Sequence, residues 1–290
     1  MSDNSGSCFA FYFSPTDEIS DELENFASEF FDVYSIDYQD DGKLVLVGYL
    51  SKEHGEDELK REAEQWGINL PAYEVKFLQS NDWLTENVIK FAPVETGKFI
   101  VYGIHEKEID TKGKIGVKVY AATAFGSEHQ TTKSCLEAIS DIDLQTNKIN
   151  HILDVGTGSG VLAIAAAKLW KNAEIVAVDI DDESVIVAKQ NAADNDVAEQ
   201  ITVAYSDGYS SEVVKTLSPY DVIFANILAR PLIAMAPQMA ENLRKGGFAI
   251  ISGFIDDQVE WVIGEHEKHG LKCRKIYQLD NWRTALLEKI

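Results

Sequence analysis

Residues 154–160 read Asp-Val-Gly-Thr-Gly-Ser-Gly, between the apolar run His151–Val155 and an alanine-rich stretch that begins at Val161. Three glycines at alternate positions let the backbone turn sharply and admit a ligand where a Cβ would clash. A helix starting behind them presents unpaired N–H groups and the positive end of its dipole. Strand, glycine turn and helix in that order commit the surrounding chain to βα units, and so to a parallel sheet covered by helices.

The rest of the C-terminal half follows the same rhythm. Strand-like runs recur at 174–180, 201–206, 220–227, 247–254, 273–280 and 282–290, with room for helices between the first six strands. One or two residues separate the final two strands, too few for a helical crossover, so they form an antiparallel hairpin. The pattern predicts an α/β, doubly wound sheet of seven strands with the last one antiparallel. That is the sheet of S-adenosylmethionine (AdoMet) methyltransferases rather than of a plain dinucleotide fold.

The loop chemistry points the same way. A dinucleotide fingerprint is G-x-G-x-x-G; here Gly156, Gly158 and Gly160 follow a G-x-G-x-G spacing and position 161 is Val. Asp154 at the head of the loop disfavours a pyrophosphate but suits the sulfonium and ammonium of AdoMet. Asp179 lies 19 positions after Gly160, at the carboxyl end of the next strand. It is placed to accept hydrogen bonds from ribose hydroxyls, with Asp181 or Asp182 as the following helix cap. Asp207, after the third strand, is a candidate for the adenine amino group. An NAD-dependent oxidoreductase fails on Val161 and on the terminal hairpin.

Residues 8–79 read differently. Strand-like runs at 8–14, 33–39, 43–50 and 73–79 and helical periods at 17–30 and 53–66 give the order βαββαβ, with Asp40-Asp41-Gly42 as a hairpin turn. This is a small α+β, ferredoxin-like unit. Residues 1–98 hold 21 Asp/Glu against 7 Lys/Arg, and no catalytic constellation, so substrate recognition is the natural role. Residues 81–120 supply a short helix over 82–91 and strand-like runs at 98–104 and 114–120, a connector. A further helix begins near Thr131. The expected division is 1–80 for recognition, 81–120 for connection and 121–290 for catalysis.

Composition bounds the function. A net charge of −22 with no Lys/Arg stripe argues against direct nucleic acid readout and suits a basic protein partner. There is no apolar run long enough for a membrane span and no signal peptide at the start. Three cysteines far apart in sequence form no disulfide framework and fit a reducing cytoplasm. The pair His266 and His269 has no third ligand and reads as a solvated helix face, so no metal is expected.

The fourth strand ends in Phe224-Ala225-Asn226-Ile227-Leu228-Ala229. Together with Asp154–Gly160 and Val178-Asp179-Ile180-Asp181, this resembles the ribosomal protein L-eleven methyltransferase family (PrmA-type). The resemblance runs from about Asp82 to the C-terminus. It extends to Ala124-Phe125-Gly126 with His129, to Thr131-Thr132, to Ser252-Gly253 with Gln258, and to the strand at Trp282. Ser127-Glu128 stands where the family reads Thr-Gly, and Gly103-Ile104-His105 where it reads Pro-Ser-Trp. The resemblance implies AdoMet contacts at Thr132, Gly156, Asp179 and Asn226, and a loop around residues 124–129 that closes over the cofactor. It implies lysine side chains and the N-terminal amine of the large-subunit ribosomal protein eleven as acceptors, with Asn226 as the catalytic residue. Ile227 and Leu228 provide no aromatic ring to stack on a planar acceptor, which fits an aliphatic amine. An N-methyltransferase of another protein or small-molecule amine, and a non-enzymatic AdoMet-fold module, are the alternatives.

Overall fold

The computed structural model describes residues 8–16, 18–31, 33–38, 43–51, 56–78, 91–106, 109–120, 130–145 and 148–290. The Asp40-Asp41-Gly42 turn, the helix expected from Asp82 and the loop around residues 124–129 lie outside the described residues. The chain divides into two compact units, Met1–Asn87 and Val88–Ile290.

The first unit has strands β1 (Cys8–Phe13), β2 (Val33–Tyr38), β3 (Leu44–Ser51) and β4 (Tyr73–Leu78), and helices α1 (Asp21–Phe30) and α2 (Glu56–Trp66). The strands form one antiparallel sheet in the order β2-β3-β1-β4, which is the ferredoxin-like arrangement. α1 starts where the Ser20 hydroxyl accepts the Leu23 N–H, an N-cap that satisfies one orphan donor. Its apolar period places Leu23, Phe26 and Ala27 on one buried face, and Leu59 and Ala63 of α2 join them over Phe11, Phe13 and Leu46. Full burial of a side chain such as Phe26 or Leu59 contributes about 1.5–3 kcal/mol. The acids Glu56, Asp57 and Glu58 occupy the first turn of α2, where the helix dipole favours them.

The second unit begins with a three-stranded sheet, β5 (Val94–Thr96), β6 (Phe99–Gly103) and β7 (Ile115–Val119), in which β6 and β7 run parallel. Then come α3 (Gln130–Gln145), β8 (His151–Val155), α4 (Val161–Leu169), β9 (Glu174–Asp179), α5 (Asp182–Asp194), β10 (Ile201–Tyr205), α6 (Glu212–Lys215), β11 (Tyr220–Asn226), α7 (Ala229–Ala234), α8 (Ala236–Asn242), β12 (Leu243–Ile255), α9 (Val259–Lys268), β13 (Leu271–Leu279) and β14 (Trp282–Lys289). The large sheet has the order β10-β9-β8-β11-β12-β14-β13. β14 slots between β12 and β13 and is antiparallel to both, as the short Asp280-Asn281 connection requires.

Two cores flank this sheet. One gathers Leu136, Ile139 and Ile142 of α3 with Ile164 and Ala165 of α4; the other gathers Leu232, Met239 and Val262 of α7, α8 and α9. Strand β11 is buried from Tyr220 to Ala225, as expected for a central strand covered on both faces. Helix α4 is apolar except for Lys168, whose ammonium donates to the Gly116 carbonyl, because it is covered on both sides: Phe99, Val101, Val117 and Val119 of the small sheet share its core. Residues 94–119, read from sequence as part of a connector, therefore also roof α4.

Register is pinned by a buried carboxylate. Asp221 Oδ2 accepts the N–H groups of Asn150 and His151 at 2.7 and 2.9 Å, and its other oxygen pairs with Arg244. The expectation of a solvated His266 is corrected by the structure. His266 is 0% exposed and its Nδ1 faces the Val262 carbonyl at 2.8 Å, because position 266 lies on the same helix face as Val262 and Ile263. Among the described residues no cluster of three or more His, Cys, Asp or Glu is arranged to hold a metal, and no helix is long and apolar enough to cross a membrane.

Candidate active site

The chain runs outward from β8 to β9 and β10, then returns to lay β11 on the other side of β8. Such a reversal opens a crevice at the carboxyl ends of the strands. Strand register brings one row of residues together there. Tyr205 pairs with Asp179, Val178 with Val155 and Val155 with Ala225, and Asn226 with Ser252, which pairs in turn with Thr284. Asp179, Gly156, Asn226 and Ser252 thus sit side by side, one residue beyond the Val178, Val155 and Ala225 row.

The glycine turn grows from the end of β8. The N–H groups of Gly156 and Thr157 both donate to the Val178 carbonyl, at 2.9 and 3.0 Å. Gly156, Gly158 and Gly160 all have positive φ, at 70°, 54° and 79°, a conformation that disfavours side chains. A Cβ at Gly156 would also run into Cγ2 of Ile227. The Gly158 N–H donates to Asp179 Oδ2 at 2.8 Å, and the Asp181 N–H to Asp179 Oδ1 at 3.1 Å. Asp181 caps α5 by accepting from the N–H groups of Glu183 and Ser184.

A cavity of about 680 Å³ opens above this row, lined by Gly156, Gly158, Asp179, Asp207 and Asn226, and by apolar Ile180, Ile227, Leu228, Pro231 and Met235. Its size falls in the range of small-molecule sites. Leu228 is 69% exposed, a large apolar side chain turned to solvent at the mouth. Asp179 and Asp207 are the titratable side chains among the lining residues. A nucleoside fits this donor set: a carboxylate for vicinal hydroxyls at Asp179, apolar walls for a base, and a turn where backbone rather than side chain meets the ligand.

Three of the sequence-derived residues stand behind the cavity wall. Asp154 is 1% exposed, and its Oδ2 accepts the Thr157 hydroxyl at 2.7 Å. Burial pushes its carboxyl up to about 7, against the Thr157 hydroxyl and the Ala163 N–H, with the charge of Asp179 adding to the rise. Asp154 therefore shapes the loop from beneath. Gly160 caps α4, with the Cβ of Ala188 close to where its own would stand. Thr132 is buried, with its hydroxyl 3.5 Å from Asn226 Nδ2, while the neighbouring Thr131 reaches the cavity.

One turn on from Thr132, the Cys135 thiol meets the hydroxyl pair of Ser252 and Thr284, themselves 2.6 Å apart. Sequence reasoning did not assign Ser184, Ser206, Met235, Gly253 or Trp282 to the lining. Ser184 was within reach, since it follows the α5 cap by one turn. Met235 enters from the break between two short helices, and Trp282 from the hairpin strand β14, and neither carries a local signal.

A family model described as ribosomal protein L11 methyltransferase (PrmA) matches residues 16–289. The chain is 36% identical over 258 residues, 89% of each chain, to a ribosomal protein L11 methyltransferase of Brucella suis. It is 38% identical over 217 residues, 74% of each chain, to that of Rhizobium meliloti. The crystal structure of ribosomal protein L11 methylase from Lactobacillus delbrueckii subsp. bulgaricus aligns with a TM-score of 0.60 at 28% identity, covering 69% of this chain and 100% of that one.

Proposed function

This chain belongs to the ribosomal protein L11 methyltransferase family, and on that premise we propose that it methylates amines of ribosomal protein L11 with S-adenosylmethionine as donor. The acceptors are lysine side chains and the N-terminal amine. The observation that carries the reading is the row Asp179, Gly156 and Asn226 at the floor of one cavity.

AdoMet, when bound, supplies an electrophilic methyl group on a sulfonium. The chain's part is to hold and orient. Asp179 accepts hydrogen bonds from the ribose hydroxyls, and Asp207 takes the adenine amino group. The turn at Gly156–Gly158 lets the backbone approach the amino-acid end, with Asp154, Gly160 and Thr132 supporting it from behind. At the other end of the row, Asn226 and the carbonyl of Ile227 accept hydrogen bonds from a neutral amine. Orienting two reactants in this way contributes as much as about 7–11 kcal/mol to lowering a barrier.

A lysine ammonium with an ordinary pKa near 10.4 must first lose a proton. The apolar walls at Ile227 and Leu228 favour the neutral amine by excluding water. Both titratable lining residues belong to the nucleoside end, so the proton leaves to solvent before attack. We assign residues 1–80, acidic and without catalytic groups, to recognition of the basic substrate, and residues 121–290 to catalysis. The enzyme meets its substrate in the cytoplasm.

Incubation with methyl-labelled AdoMet and purified ribosomal protein L11, read by intact-mass and peptide mass spectrometry, tests the reading. Label on lysines and the N-terminus of L11 supports it. Label confined to other ribosomal proteins refutes the substrate, and absence of calorimetric AdoMet binding refutes the cofactor.

A further inference from the structure

Strand β7 is the last strand of the small sheet and pairs with β6 on one side. Its other edge presents the peptide groups of Lys118 and Tyr120, and a buried peptide group without a partner is costly. Among the described residues no strand pairs there. Two asparagines of α5 and its cap take the place of one. Asn195 Oδ1 accepts the Lys118 N–H at 3.0 Å, and its Nδ2 donates to the Lys118 carbonyl at 2.6 Å. Asn191 Oδ1 accepts the Tyr120 N–H at 2.7 Å, and its Nδ2 donates to the Tyr120 carbonyl at 3.2 Å. The spacings match: four helical residues rise about 6.0 Å and two strand residues about 6.6 Å. Side-chain amides one helical turn apart thus imitate the ladder of a neighbouring strand.

The two amides differ in one respect. The second proton of Asn191 Nδ2 goes to the Ser159 carbonyl at 2.8 Å, inside the glycine turn between Gly158 and Gly160. The second proton of Asn195 Nδ2 goes back to its own helix, to the Asn191 carbonyl at 2.7 Å. Asn191 is 0% exposed and does not line the cavity. Its side chain joins three separate pieces of the second unit: α5, the end of β7 and the glycine turn.

We propose that Asn191 is a positioning residue for cofactor binding, holding the Ser159 carbonyl, and with it the Gly158–Gly160 turn, in register with the end of β7. The proposal rests on the AdoMet reading of the cavity. The Ser159 carbonyl belongs to the Ser159–Gly160 peptide, two peptide units from the Gly158 N–H that holds Asp179, so the amide acts directly on the loop and reaches the carboxylate only through it. Asn195 does the same structural work on β7 without touching the loop, which makes it a matched control.

The test compares Asn191→Ala with Asn195→Ala in the full chain. Both lower the melting temperature, since each removes two hydrogen bonds to a peptide group at the end of β7. In Asn191→Ala the AdoMet Kd from calorimetry rises at least about tenfold. The KM for AdoMet rises with it, while kcat at saturating AdoMet stays within about threefold. In Asn195→Ala the Kd stays within about twofold.

If Asn191→Ala does not fold, amide exchange in the wild-type chain decides. Coupling is reciprocal, so AdoMet must slow exchange at the Tyr120 amide more than at the Lys118 amide. Equal effects of the two variants on Kd, or equal protection of the two amides, overturn the proposal while leaving the proposed function standing. A wild-type chain that gives no AdoMet binding overturns both.

Discussion

Replacing Asp179 with alanine removes two kinds of interaction at once. Within the protein, Oδ2 gives up the Gly158 N–H at 2.8 Å and Oδ1 the Asp181 N–H at 3.1 Å. Toward the cavity, which Asp179 lines, the variant loses the acceptor proposed for the ribose. A hydrogen bond to a charged group contributes about 1.5–3 kcal/mol. One net bond to the cofactor therefore corresponds to a Kd raised about 10- to 150-fold.

The freed Gly158 N–H adds to that loss by loosening the turn. Asp179→Asn keeps an acceptor oxygen but no charge, so its affinity falls between the two. Isothermal calorimetry with AdoMet gives the Kd, and a thermal melt run alongside shows whether the fold persists. It is expected to persist, because Asp179 stands at the end of β9 and outside both cores of the second unit. A folded Asp179→Ala that binds AdoMet within about twofold of the wild type would refute the assignment of this carboxylate to the site.

Asp154 predicts a pH dependence. The unfolded chain releases its proton near the ordinary value of 3.8, while the buried carboxyl holds it to about 7. Between those values the native state binds more protons, so stability falls as pH rises from about 4 to about 7. Asp154→Asn should flatten that part of a denaturant-derived stability curve, and an unchanged slope contradicts it. His266 predicts the opposite slope. Burial lowers its pKa from 6.5, against the pull of the Val262 carbonyl, so an unfolded chain takes up a proton that the native chain resists. Stability from this group is full above pH 6.5 and is lost as pH drops below it; comparing His266→Phe with wild type at pH 5 and 7 isolates it. Burial pushes the Cys135 thiol up to about 12 and also raises that of the partly buried Cys273, and because Cys135 is 0% exposed, iodoacetamide at pH 8 should label Cys273 and spare Cys135 in the native protein. Peptide mass spectrometry checks this, and equal labelling of the two refutes it.

The elements that sequence reading placed are those whose cause is local. The seven strands of the large sheet announce themselves by strand-like runs alternating with helical stretches, and the antiparallel β14 by a connection too short to cross over. Asp181 is a helix cap by residue type and position. The turn at Gly156, Gly158 and Gly160 is legible because φ near +70° has few other tenants. What escaped was set by tertiary neighbours. β5 is three residues long and has no period to read. Residues 94–119 look like a connector until α4 is seen to need a second cover, a need already visible in the sequence Val161–Leu169, which is apolar at every position but Lys168. His266 looked solvated between charged neighbours, although its helix phase matches that of Val262.

Asp154 and Asn191 show why a site cannot be read from a motif alone. Neither side chain lines the cavity, yet both hold the turn that does. Asp154, the acid of the motif, is enclosed by Thr157 and the first turn of α4, so its charge is disfavoured and its work is to shape the turn. Asn191, an unremarked polar residue twelve positions after Asp179, is the one whose amide reaches the Ser159 carbonyl. The three glycines of the turn have no side chains with which to fix it. Its carbonyls and N–H groups must be held by others, and the holders come from wherever the fold brings a donor or acceptor: Asp179 from the adjacent strand, Asn191 from the helix behind. Precision in such a turn is therefore a property of residues that sequence proximity to the glycines does not reveal.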